Sequence, residues 1–135
     1  MENPIRTGLT VKTFLYYWFP ILIYCFLIFL QSSFPSIEDL PQQPHADKVF
    51  HFAGYALLGF LFYRALTTSR IKENRGLLML LGSLLSALYG ASDEIHQYFV
   101  PQRSAEVADM IADALGSVAG AFICSMAYRD GRDIS

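Results

Sequence analysis

The first constraint on this chain is where charge is missing. Twenty-five residues between Lys12 and Glu38 include no Asp, Glu, Lys or Arg, and Lys48–Arg64, Arg75–Asp93 and Asp113–Arg129 enclose three more charge-free runs. A soluble helix of this size scatters charge along its outer face every few residues, so the pattern favours a membrane protein over a soluble helical bundle. Composition agrees, with 53% hydrophobic and 16% charged residues against about 25% charged in ordinary soluble domains. A helix needs about 20 mostly apolar residues to cross a bilayer. The first run meets that length alone. The other three span only if polar residues at one end lie within the membrane boundary.

Thr13–Leu30 is longer than the roughly 7–15 residues of a signal-peptide core, and Gln31-Ser32-Ser33 after it is not an A-x-A-like cleavage site. It is expected to be a retained anchor, with Tyr16, Tyr17 and Trp18 in an interfacial belt. The periodicity and the run lengths predict one all-α domain over 1–135, a four-transmembrane-helix bundle with helices at about 13–30, 46–66, 76–97 and 104–128. Pro20 is expected to bend the first helix. Gln31–Ala46, which holds Pro35, Pro41 and Pro44, reads as an extended loop. Asp47 complements the dipole at the start of the second helix, and Ser104 is the expected N-cap of the fourth. Cys25 and Cys124 lie within apolar spans and read as small hydrophobes.

Four crossings place both termini on the same side as the loop near 67–75. Arg6, Lys12, Arg64, Arg70, Lys72, Arg75, Arg129 and Arg132 collect there, eight of the ten basic residues, leaving only Lys48 and Arg103 opposite. The positive-inside rule then makes both termini cytoplasmic. Glu38, Asp39, Asp47, Asp93, Glu94, Glu106, Asp109, Asp113 and all three histidines fall on the outer side.

These outer groups reach a common depth. At ~1.5 Å per helical residue, His51 lies roughly 20 Å from Arg64, Asp93 about 27 Å from Arg75 and Asp113 about 24 Å from Arg129. They also share faces with small residues. Asp47, His51 and Tyr55 recur every fourth residue, Gly82, Ser86, Gly90, Asp93 and Gln97 form one stripe, and Glu106, Asp109 and Asp113 continue into Gly116-x-x-x-Gly120. Small residues mark where membrane helices approach closely, so the stripes should point into the bundle. They predict a cavity open to the outer surface, lined by His51, Tyr55, Asp93, His96 or Glu94, Asp109 and Asp113.

Ionisable residues within a membrane span are functional candidates by default. Asp93, Glu94, His96 and His51 are the candidates for general acid–base work. Arg103, Lys48, Tyr55, Gln97, Asp109 and Asp113 are the candidates for substrate binding, Arg103 being a fixed cation suited to a phosphate or carboxylate. The plainer readings are that Asp47 and Glu106 serve the helix dipoles, that Lys48 snorkels to the interface, and that Asp93 pairs with Arg103 or His51 to hold helices together. A metal such as Zn²⁺ would use the same residue types. There is no H-E-x-x-H, however, and the side chains of Glu94 and His96 diverge on a helix. No metal ligands are assigned, and the sequence does not name a cofactor. No basic face for nucleic acid and no phosphate-binding glycine loop is present.

The residues also resemble a known family. Asp47-Lys48-x-x-His51-Phe52-x-x-Tyr55, Ser92-Asp93-Glu94-x-His96-Gln97-x-Phe99-Val100-Pro101-x-Arg103 and Asp109-x-x-x-Asp113-x-x-Gly116-x-x-x-Gly120, in that order, are similar to the VanZ-like membrane proteins, named for a teicoplanin-resistance protein. Gln102 stands where glycine is frequent in that family, and Asp113 where asparagine is common. The resemblance implies a multi-pass protein of a bacterial plasma membrane and, for the namesake, reduced sensitivity to a lipid-bearing glycopeptide. It implies no mechanism. The expected partners are membrane lipids and a lipid-linked envelope intermediate or a glycopeptide. An enzyme acting on such an anionic group is weighed against a non-catalytic binding protein. A small transporter is less favoured, because the inner halves of the helices are nearly free of polar groups.

Overall fold

The structure, a computed structural model, describes residues 9–35 and 45–132, with side chains through Arg129. Most of the expected extended loop, together with Arg6 and the side chain of Arg132, lies outside the described residues. The described residues form four helices and no strand: α1 (Val11–Ser33), α2 (Ala46–Leu66), α3 (Arg75–Tyr98) and α4 (Val107–Arg132). All four are long and apolar enough to cross a membrane. Their outward faces carry Phe26, Phe29, Leu80, Leu84, Leu88, Leu115, Phe122 and Ile123, all exposed. An exposed apolar surface of this extent suits lipid rather than water.

Helix α1 begins on Thr10, whose Oγ1 accepts from the Thr13 N–H at 3.1 Å, and widens into a π-helical turn at Phe14–Trp18. Pro20 sits at the start of the α-helical segment that follows. Proline brings no N–H to the carbonyl four residues back, here Tyr16. That carbonyl accepts instead from Arg64 Nη1 at 3.2 Å, and the guanidinium lies over the rings of Tyr16 and Tyr17 at 4.4 and 4.7 Å. The expected bend is thus a widened turn with a cation on its freed carbonyl. Trp18 Nε1 donates to Thr68 Oγ1 at 3.3 Å, and Arg75 Nη2 to the Ser125 carbonyl at 2.9 Å. These contacts tie the helices together at their basic end, over a buried layer of Tyr63, Leu66, Leu78, Ala121 and Cys124.

Helices α2 and α4 make the closest pair. Gly116 lies on the Phe52 carbonyl, Gly120 on the Ala56 carbonyl, and Gly59 of α2 on the Ser117 carbonyl, so a Cβ at any of the three would collide with backbone. The Gly116-x-x-x-Gly120 stripe is therefore a packing face, as small residues in membrane helices commonly are. Helix α3 closes the bundle with Gly82 against the Tyr63 backbone and Gly90 against Asp113. Helix α1 lies alongside, joined through Tyr24 Oη to the Gly54 carbonyl (2.8 Å) and Tyr89 Oη to the Cys25 carbonyl (2.6 Å).

The fourth helix starts at Val107, not near Ser104 as expected. Glu106 supplies the first carbonyl, accepting from the Asp109 and Met110 N–H groups at 3.1 and 3.3 Å. The Glu106 N–H is already taken by Glu94 Oε2 of α3 at 3.2 Å. A carboxylate from the neighbouring helix therefore positions the start of α4, where a serine cap was expected.

Candidate functional site

The stripes on α2, α3 and α4 meet inside the bundle at the end away from Arg64 and Arg75. Asp93, Glu94, Asp109 and Asp113 are 6%, 2%, 5% and 0% exposed. Buried carboxylates persist only with partners, and the partners divide the site into three connected parts.

The first is a lysine cage at the rim. Lys48 Nζ lies 3.3 Å from Asp47 Oδ2, 3.0 Å from Glu106 Oε2 and 3.3 Å from Asp109 Oδ1. Lys48 was expected to snorkel and to hold an anion. Its charge is instead shared among three carboxylates, among them Asp47 and Glu106, the two expected dipole partners. The second part is centred on His51. Its Nδ1 is 2.8 Å from Asp113 Oδ1 and 3.8 Å from Glu94 Oε1, and its Nε2 is 3.9 Å from Asp109 Oδ2. An ionised Asp113 can only accept, so His51 Nδ1 donates; in the neutral ring this leaves Nε2 with its lone pair. The third part joins α1. Asp93 Oδ2 accepts from Tyr55 Oη at 3.3 Å and from Gln97 Nε2 at 3.1 Å, and Gln97 Nε2 also reaches Ser32 Oγ at 3.3 Å. Below these groups, Ser117 Oγ lies 2.7 Å from both Ser86 Oγ and the Asp113 carbonyl, and Ser86 donates to the Tyr55 carbonyl at 3.2 Å.

The structure therefore brings Lys48, His51, Glu94, Asp109 and Asp113 into one cluster, with Tyr55, Asp93 and Gln97 beside it. His96 and Arg103 lie elsewhere. His96 packs on α1, its ring stacked on Phe29 at a centroid distance of 4.8 Å and its Nε2 3.0 Å from Ser33 Oγ. Of the two side chains left open at the cavity wall, Glu94 turns in towards His51. Asp93 bonds to Tyr55 and Gln97, not to the expected Arg103 or His51. Arg103 donates from Nε to the Phe34 carbonyl at 2.9 Å and from Nη2 to the Gln31 carbonyl at 2.8 Å. A cation on the last carbonyls of a helix complements its dipole, so Arg103 fastens α1 to the loop before α4.

A cleft of about 460 Å³ opens between α1 and the other helices. Its apolar wall holds Leu27, Ile28 and Phe50, and its polar floor holds Gln31, His51, Tyr55, Asp93 and Arg103. Leu27 and Phe50 are 53% and 77% exposed, so the cleft opens on an exposed apolar face. Helix α1, absent from the expected site, lines this cleft. Its signal is Gln31-Ser32-Ser33, three polar residues expected at the start of the extended loop, which instead form the last turn of α1.

Fold and site together define an all-α, multi-pass membrane protein with an ionisable cluster where three of its helices end. The chain belongs to the VanZ/LLP1 family, whose model matches residues 9–128. That span takes in α1 as well as the three motifs. Neither the curated proteins nor the solved structures yield a match. Of the two departures from the family pattern, Gln102 has φ 65°, in the left-handed region that favours glycine. Asp113 adds a carboxylate whose Oδ1 holds His51.

Proposed function

We propose that this protein acts on an amphiphilic, lipid-linked molecule of the bacterial cell envelope, taken from the bilayer into the cleft beside α1. One observation carries the reading: the cleft joins a lipid-facing apolar wall to a floor of His51, Tyr55, Asp93 and Arg103. An acyl or isoprenoid chain would lie along Leu27 and Phe50, and an anionic head group would meet Arg103. Glu94 and His51 would move protons, as a carboxylate and an imidazole in one buried cluster are suited to do. The distribution of Lys and Arg supports cytoplasmic termini in a plasma membrane, with the cluster near the outer surface. Reduced sensitivity to teicoplanin would then follow from a change in the envelope lipid pool or from capture of the glycopeptide's lipid tail. A transport path is disfavoured by the apolar layer of Tyr63, Leu78 and Cys124 between the cluster and the basic end.

The test replaces Asp93, Glu94, His96 and Arg103 singly with alanine, checks membrane levels and scores teicoplanin susceptibility. Loss of tolerance in the Asp93, Glu94 and Arg103 variants, beyond any fall in their membrane levels, is the expected result. Unchanged susceptibility in all four would remove the antibiotic role. Bound envelope lipid is measured in parallel on Glu94→Gln. Retained binding with lost conversion identifies an enzyme, and binding without conversion by the wild type identifies a carrier or sequestering protein.

A further inference from the structure

We propose that His51, Glu94 and Asp109 bind a divalent metal ion of the Zn²⁺ or Mn²⁺ class, with Asp113 orienting the histidine; this rests on the reading of the cleft as a working site. One ligand atom from each of the three residues lies within 4.8 Å of the others. Ligands bound at about 2.0–2.2 Å stand about 3–4 Å apart. His51 Nε2 stands 3.9 Å from Asp109 Oδ2, close to that spacing; Glu94 Oε1 is 3.8 Å from Nδ1, the nitrogen that Asp113 holds, so Glu94 must turn further to share an ion with Nε2.

An acidic cluster alone would not make a site. The independent observation is Glu94 Oε1, a buried carboxylate oxygen with no hydrogen-bond partner among the described residues. The other oxygen of Glu94 is held by the Glu106 N–H, and this bond turns Oε1 towards His51. Leaving such an atom unpaired in the interior is costly, and a cation beside it removes the cost. His51 is prepared in the same sense. Metal-ligating histidines almost always donate the other ring N–H to a carboxylate or carbonyl, and Asp113 Oδ1 stands 2.8 Å from Nδ1. Asp109 divides its oxygens, Oδ1 to Lys48 and Oδ2 towards His51.

A second trio of Asp47, Glu106 and Asp109 is equally compact, but the Lys48 ammonium already lies among its oxygens at 3.0 to 3.3 Å. One cation demand is met by lysine and the other is left to an ion. A mixed imidazole and carboxylate set suits Zn²⁺ or Mn²⁺ better than Ca²⁺, which prefers oxygen alone. An ion here would take Glu94 and His51 as ligands in place of the proton transfer proposed for them, would supply Lewis-acid chemistry instead, and would let a cluster this rich in carboxylates hold an anionic head group.

The experiment uses the full chain purified in detergent, stripped with a chelator and titrated separately with ZnCl₂ and MnCl₂. Calorimetry, bound-metal analysis and the thermal unfolding midpoint are the readouts. The expected result is about one ion per chain with a raised midpoint, since an ion that binds only the folded state stabilises it. Glu94→Gln and Asp109→Asn should bind at least tenfold more weakly, Asp113→Asn about 10–100-fold more weakly, and His96→Ala like the wild type. Monodisperse wild-type protein that takes up neither ion at ~1 mM would overturn the proposal, as would Glu94→Gln and Asp109→Asn binding as tightly as wild type. No lipid is present in this titration. Absent metal binding with lipid conversion intact refutes the metal site alone, whereas stoichiometric metal binding without lipid binding refutes the functional reading alone.

Discussion

Glu94 links the site to the fold at the scale of single residues. One carboxylate oxygen fixes the start of α4 through the Glu106 N–H, and the other faces His51. Glu94→Gln retains an acceptor for the first role and loses the charge for the second. It should reach the membrane at wild-type levels and lose function, whereas Glu94→Ala should lose some stability as well. Quantitative membrane blotting beside the lipid assay separates the two. Gln102 offers the opposite case, a residue that works against the local backbone. A left-handed conformation costs an L-residue about 1–2 kcal/mol relative to one that adopts it freely, so Gln102→Gly should raise stability by up to about 1 kcal/mol after the added flexibility of the unfolded chain is offset. A higher unfolding midpoint in detergent is the check; a lower one would contradict the account of this loop. The charge-free runs made the existence of this site legible in the sequence, because only polar residues at the outer ends made three of the helices long enough. They also gave the facing of His51, Asp93, Asp109 and Asp113. Partners were not legible. Nothing local in Lys48 or Arg103 shows that one is caged by three carboxylates and the other holds two carbonyls, since all these partners but the adjacent Asp47 lie 58 to 72 positions distant.

Helix ends and helix contacts decide the next scale. The bounds of α2 are set by the charged residues near its ends and by its apolar length, both plain in the sequence. The start of α4 is not, because Ser104 has the chemistry of a cap and the tertiary contact from Glu94 overrides it. The π turn in α1 was signalled only as a bend at Pro20; its partner, Arg64, lies in another helix. Helices α2 and α4 approach until Gly116 and Gly120 touch carbonyl oxygens. Enlarging either residue must push the helices apart, because backbone cannot rotate out of the way as a side chain can. Gly120→Val should therefore cost at least 1–3 kcal/mol, the usual range for overpacking, and should lower protein levels in the membrane. Gly76, whose added Cβ would meet only Asn74 Oδ1 at 3.6 Å, should accept Gly76→Ala with little change. Equal effects of the two substitutions would refute the packing account. Arg103→Ala should loosen α1 from the other helices without unfolding them, and faster proteolysis confined to the segment after Ser33 would show it.

Across the whole molecule the fold separates two tasks. The basic end is packed with Tyr63, Leu78 and Cys124 and pinned by Arg64 and Arg75, while the opposite end holds the buried carboxylates, His51 and a cleft with an apolar wall. Single-cysteine variants at Ser69 and Ser104 in a background lacking Cys25 and Cys124 should report the orientation. The Ser104→Cys protein should react with an impermeant maleimide on intact cells, and the Ser69→Cys protein only after lysis. The central claim is that the cleft and the cluster act together on a lipid. Its most direct test places the purified chain in proteoliposomes with labelled total envelope lipid, and follows lipid conversion and lipid retained after delipidation. The account predicts conversion by the wild type, with Glu94→Gln retaining the same lipid unchanged. Wild-type protein that neither retains nor converts any labelled lipid would contradict it.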